Sequence, residues 1–158
     1  MPARAVRLRT PGEFAAATGE RASWRAARRW LGASALVADP VRCAQTSETQ
    51  DAVNDSVSRE HRQLACTGVR FGFTVGRRQA RKAVQRVMVK RVLREAARNA
   101  ADDLNELARG RGIDVVLRLR TALPGRSEMG LASLKATLRS EADSLLAQLT
   151  RHLRAGAP

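Results

Sequence analysis

The sequence predicts an α+β domain, a small two-layer sandwich in the order αββαβα, with one short sheet and helices packed on it. Three observations carry this. Val69–Val75 and Ile113–Arg120 alternate apolar residues with others, as half-buried strands do. Ala80–Ala108 and the stretch from Leu131 to Leu149 instead repeat apolar residues at three- and four-residue spacing, as amphipathic helices do. The chain has 158 residues, 44% hydrophobic and 28% charged, which suits one folded domain over 1–158 rather than a disordered chain. No apolar run approaches the roughly 20 residues of a membrane helix, so no membrane partner is expected.

Each element has its own local signals. Thr10-Pro11-Gly12-Glu13 is a capping box, with Thr10 as N-cap, proline at the first helical position and Glu13 reaching back. A short helix should follow through Phe14 and Ala17 and end near Gly19. After a basic segment, Arg21–Arg29, a first strand is expected over Trp30–Ala38, closed by Asp39-Pro40. Residues 44–63 are polar and acidic with almost nothing to bury, and are expected to form a mobile loop. Val69–Val75 is the second strand, and the long helix to Ala108 meets its stop signals at Gly110 and Gly112. Ile113–Arg120 is the third strand, with Val115, Leu117 and Leu119 on one face and Arg118 and Arg120 opposite. After the turn at Leu123-Pro124-Gly125 comes the final helix, its core stripe Leu131, Leu134, Leu138, Ala142, Leu145 and Leu149, with a disordered tail expected over 151–158.

Charge points to the partner. The chain holds 29 basic and 15 acidic residues, a net of +14, and residues 70–98 alone hold 10 basic residues and one acid. That excess implies a polyanion. On a helical wheel Arg86, Lys90, Arg94, Val87 and Arg91 share an arc of roughly 140°, apart from Met88, Val92, Ala96 and Val89, which face the core. Like charges four residues apart repel, and Glu95 is the one acid present to offset them. A merely solvated helix would interleave acids. Arginine dominates this face and Gln85 is almost alone in being able to read base edges, so phosphates of folded RNA are expected rather than duplex DNA.

These residues resemble a known family. Arg70-Phe71-Gly72-Phe73-Thr74-Val75-Gly76-Arg77-Arg78, followed by Arg86-Val87-Met88-Val89-Lys90-Arg91-Val92-Leu93-Arg94-Glu95, is similar to the signature of the bacterial ribonuclease P protein component. That signature is a strand R-x-G-[FL]-[ST]-V, a small residue with two basic ones, and a helix bearing R-N-R-x-K-R-x-x-R-E. Weaker likeness extends to Arg7–Phe14, to Asp114–Arg118 and to the last helix.

The resemblance implies the small subunit of a ribonucleoprotein endonuclease that trims the 5′ leader from precursor tRNA. It implies partners in a catalytic RNA and precursor tRNA, with hydrolysis by the RNA and its magnesium ions and no cofactor bound by the protein alone. Expected RNA-binding residues are Arg77, Arg78, Lys82, Arg86, Lys90, Arg91, Arg94 and Arg98, and candidates for a leader cleft are Phe14, Trp30, Arg70 and Val87. The family's R-N-R is Arg86-Val87-Met88 here, and since Val87 lies within the cationic arc its loss of an asparagine amide should weaken RNA contact more than Met88 does. Two aromatics common in the family are Thr18 and Ala97 here. A non-catalytic RNA-binding protein of ribosomal type is the alternative function.

Nothing in the sequence provides protein-borne catalysis. His61 and His152 stand beside no nucleophile, Cys43 and Cys66 form no C-x-x-C pair, and Asp102, Asp103 and Glu106 lie among arginines as surface charges. No metal site is expected. The charged N-terminus, Met1 to Arg7, lacks a secretory apolar region, so a cytoplasmic location is expected.

Overall fold

The computed structural model describes residues 6–8, 10–20, 22–38 and 68–156; the 44–63 segment, Cys43, Cys66 and His61 lie outside them. The elements are β1 (Val6–Arg7), α1 (Pro11–Thr18), β2 (Trp24–Ala27), β3 (Leu31–Ala38), β4 (Gly68–Thr74), α2 (Ala83–Ala108), β5 (Gly112–Leu119) and α3 (Leu131–Ala155). They form an α+β sandwich around one sheet of order β1-β4-β5-β3-β2, in which β1, β4 and β5 run parallel and β3 and β2 antiparallel to their neighbours. No helix among the described residues is long and apolar enough to cross a membrane.

Two strands were not expected. β1 is a two-residue addition at one edge, and β2 occupies part of the segment whose basic character alone was legible. Its sequence Trp-Arg-Ala-Ala has little strand propensity. Pairing with β3 in the register Trp24↔Ala35 to Ala27↔Gly32 creates it, half-burying Trp24 and Ala26 and leaving Arg25 outward on the edge.

Alternation sorts the strands onto two faces. Leu31, Ala33, Ala35, Val69, Phe71, Ile113, Val115, Leu117 and Leu119 pack with Val89, Leu93, Ala96 and Leu104 of α2 and Leu138, Leu145 and Leu149 of α3. The opposite face carries a smaller cluster in which Leu8, Ala17 and Val116 pack with Phe14 and Leu36, so α1 covers part of it. The capping box forms: the Glu13 N–H donates to Thr10 Oγ1 at 3.3 Å and the Thr10 N–H to Glu13 Oε2 at 3.1 Å. The long helix begins at Ala83 rather than Ala80, and its end uses two left-handed residues, Arg109 (φ 48) and Gly110 (φ 81).

Two expectations about the last helix are corrected. Residues 151–155 are helical rather than disordered, with the Gly156 N–H closing on the His152 carbonyl at 3.0 Å. Leu131, the first residue of α3, is 51% exposed, since the buried stripe begins one turn later at Leu134.

Candidate nucleic-acid interface

Residues 75–82 link β4 to α2 and bring Arg77, Arg78, Arg81 and Lys82 to the surface just before the helix. The Lys82 N–H donates to the Gln85 side-chain oxygen at 3.2 Å, closing the first turn. Because α2 buries Val89, Val92, Leu93 and Ala96, its 3.6-residue period must turn Arg91, Arg94 and Arg98 outward. Lys90 is half-buried. Among the described residues no ion pair engages Arg77, Arg78, Lys82, Lys90, Arg91, Arg94 or Arg98. Glu95, the acid of this stretch, faces α3 and pairs with Arg139 at 3.4 Å. A row of cations with no acidic partner among the described residues presents donors to an external anion.

Arg86 belongs to this set only in part. Its Nη1 donates to the carbonyls of Ala80 at 3.0 Å and Arg81 at 2.8 Å, so the guanidinium ties the connecting segment to the helix it enters. Val87 is 58% exposed and Val84 80%, both on the outward side of the helix.

The four cleft candidates are not brought together. Val87 lies on α2, and the face of the sheet that α2 covers is opposite to the one bearing Phe14. Trp30 is 5% exposed in the main core, where it anchors the start of β3, and so cannot line an open cleft. Arg70 is held by carboxylates: its Nε and Nη2 donate to the two oxygens of Asp114, each at 2.7 Å, and its Nη1 to Glu13 Oε1 at 2.9 Å. It therefore clamps β4, β5 and α1 together. Phe14 remains at the α1 face, half-buried with its ring against Gly72, where a Cβ would stand 2.4 Å from the ring.

The same face holds residues the sequence did not single out as a site. Arg118 crosses Gly32, whose missing Cβ would meet Arg118 Nε at 3.2 Å, and Arg25 reaches the Gly19 carbonyl at the end of α1. Both arginines are exposed. Strand alternation could have found Arg118; Arg25 needed the unforeseen strand β2.

A basic row on one helix face, without an ion pair among the described residues, is the electrostatic footprint of a nucleic-acid-binding protein. The ribonuclease P family model matches residues 2–146, and the chain belongs to that family. It is a subunit of ribonuclease P, acting in tRNA 5′ maturation, and binds RNA. The fold is similar to the RNase P protein of Staphylococcus aureus, at 14% identity and a TM-score of 0.56 over 92% of this chain and 96% of that one. A mutant of that protein with defective mRNA degradation activity has a TM-score of 0.55 at 14% identity, covering 90% of this chain and 86% of that chain. No curated protein sequence matches this chain. Family membership selects the ribonucleoprotein subunit over the ribosomal-type alternative.

Proposed function

We propose that the cationic face of α2 docks the catalytic RNA of ribonuclease P, while the sheet face beside α1 receives the single-stranded 5′ leader of precursor tRNA. The observation that carries the first half is the row Lys90, Arg91, Arg94 and Arg98, four cations on one helix without an acidic partner among the described residues. The second half is supported by Phe14, Arg118 and Arg25, which place an aromatic ring and two guanidiniums around a shallow sheet face.

The chemistry of hydrolysis belongs in this reading to the RNA, with magnesium ions bound by its phosphate oxygens. Glu13 and Asp114, which come together beneath α1, are already bridged by Arg70, so this pair of carboxylates does not suit a resident magnesium ion. The protein's contribution is electrostatic, lowering the repulsion between two RNAs and so the magnesium that docking demands. If four to six phosphates are neutralised, affinity should fall with salt with an exponent of order −3 to −5. The cytoplasm is where both RNA partners would be met.

The test is precursor-tRNA cleavage at low magnesium by a bacterial ribonuclease P RNA, with and without this protein. Stimulation that grows with leader length is the expected result. Tight RNA binding without stimulation would overturn the roles proposed for these two faces, and restoring asparagine with Val87→Asn would show whether that one side chain is responsible.

A further inference from the structure

We propose that the turn between β2 and β3 is a second RNA-contact site, where an unpaired nucleotide stacks its base on Arg29 while its phosphates meet Arg28 and Arg120. The proposal rests on the reading that this chain binds RNA within ribonuclease P, and adds a corner at the end of the sheet, where Arg120 borders Arg118 beside Gly32.

The turn Arg28-Arg29-Trp30 is held by three elements. Across the hairpin, the Arg28 N–H donates to the Leu31 carbonyl at 2.7 Å. From the end of β5, the Arg120 N–H donates to the Trp30 carbonyl at 2.9 Å, Arg120 Nη1 to the Arg28 carbonyl at 3.1 Å, and Thr121 Oγ1 to the Arg29 carbonyl at 2.6 Å. From α3, Glu141 Oε2 accepts the N–H groups of Trp30 and Leu31 at 3.0 and 3.1 Å, and Ser144 Oγ accepts from Arg28 Nη2 at 2.6 Å. A tight turn with every carbonyl of three successive residues satisfied is rigid before any ligand arrives, which lowers the ordering cost of binding.

On this frame the side chains divide by exposure. Trp30 is 5% exposed, while Arg28, Arg29 and Arg120 are exposed. The Arg29 guanidinium lies over the Trp30 ring with its carbon 4.7 Å from the ring centroid. A guanidinium held over an aromatic ring offers its outer face to a nucleobase, and unpaired bases stack on arginine planes as they do on aromatic rings. Trp30 thus acts through Arg29 as a positioning residue. Glu141 takes two backbone donors of the turn on one oxygen, and among the described residues no ion pair engages Arg28, Arg29 or Arg120.

The corner continues a track of positive charge. β3 begins beside the end of β5, with Leu31 opposite Leu119, and β4 ends beside them, with Thr74 opposite Arg118. The Leu123 N–H donates to the Gln79 carbonyl at 2.9 Å, joining the segment after β5 to the one that carries Arg77 and Arg78 into α2. RNA lying on the α2 face can therefore reach the corner along one end of the sheet.

The nucleotide could belong to the catalytic RNA or to the leader, and the experiment separates them. Affinities of the full chain for a bacterial ribonuclease P RNA, for precursor tRNA with a long leader and for mature tRNA are measured over a salt series. The variants are Arg29→Ala, Arg29→Lys and the pair Arg91→Ala with Arg94→Ala. Arg29→Ala should weaken binding of one RNA by about five- to a hundredfold, the range of base stacking. Arg29→Lys keeps the charge without the plane, so it should retain the salt exponent yet lose affinity; it also keeps the test intact should Arg29→Ala fail to fold. Loss confined to the catalytic RNA places the corner in subunit docking, and loss confined to leader-bearing tRNA places it in substrate binding. Wild-type affinity in Arg29→Lys overturns base stacking. Wild-type affinity of Arg29→Ala for every RNA, while the Arg91 and Arg94 pair weakens binding, overturns the corner and leaves the α2 reading standing. If that pair too changes nothing, the α2 reading fails with it.

Discussion

Arg70 and Arg91 stand 21 positions apart in one basic stretch, yet they do opposite work. Arg70 points to the α1 face of β4, where Glu13 and Asp114 converge on it and leave its side chain 17% exposed. Arg91 stands on the outer face of α2 with no ion pair among the described residues. The first is desolvated and neutralised by the protein and so contributes to folding; the second meets no carboxylate among the described residues and, on the proposed reading, keeps its charge for RNA. What separates them is the position of carboxylates in the fold, which net charge along the sequence does not report.

The comparison breaks most visibly at Arg70. Arg70→Ala removes the cation shared by the buried Asp114 and the partly buried Glu13, and removing one partner of such a cluster should destabilise the fold by about 3 kcal/mol. Urea unfolding should show this as a lower midpoint with an unchanged slope. RNA affinity measured well below the melt should stay near wild type; a changed salt exponent there would place Arg70 in the RNA interface after all.

Next in size is Gly72→Ala on the same face. A new Cβ would stand 2.4 Å from the Phe14 ring and 3.1 Å from Leu8 Cδ1, and overpacking of this kind costs about 1–3 kcal/mol. Combining it with Phe14→Leu should recover part of the loss, a coupling that a double-mutant cycle detects. Additive losses would mean that the ring does not rest on the strand at that point.

Within α2 the contrast recurs on a smaller scale. Arg86→Ala should cost about 1 kcal/mol, because it frees two carbonyls of the segment before the helix. Arg91→Ala with Arg94→Ala should leave stability within about 0.5 kcal/mol, as surface substitutions do, while flattening the salt dependence of RNA binding by about one to two units. Thermal melts and salt titrations of the same preparations check both statements.

Legibility followed the reach of each signal. The capping box, the alternation in β4 and β5 and the two-faced α2 are periodic or local, and each formed with its ends within a few residues of expectation. β2 was hidden because its strand character comes from pairing with β3. The helical residues after Leu149 were hidden because Arg151, His152 and Arg154 carry no apolar stripe to extend the pattern. For the site, the outward arginines of α2 were legible because a helix period fixes their direction. The role of Glu13 was legible only by half: its contact with Thr10 spans three residues, whereas its contact with Arg70 spans 57. Trp30 illustrates the same limit, since a tryptophan among arginines suits RNA or core equally until the packing partner is known.

Glu95 tests the comparison at its finest point, being the acid within the cationic stretch. It pairs with Arg139 at 3.4 Å, and Arg139 also pairs with Asp143 at 3.1 Å within α3, so the pair is exposed and duplicated. Glu95→Gln should therefore change stability by no more than about 0.5 kcal/mol. Removing one negative charge beside Arg91 and Arg94 should raise RNA affinity about twofold at low salt, and the gain should vanish once the screening length falls below the separation of the charges. Weaker binding in Glu95→Gln would reverse the assignment. It would mean that Glu95 holds Arg139 against α2 in a position RNA uses, making the one acid of the stretch part of how the cations are arranged.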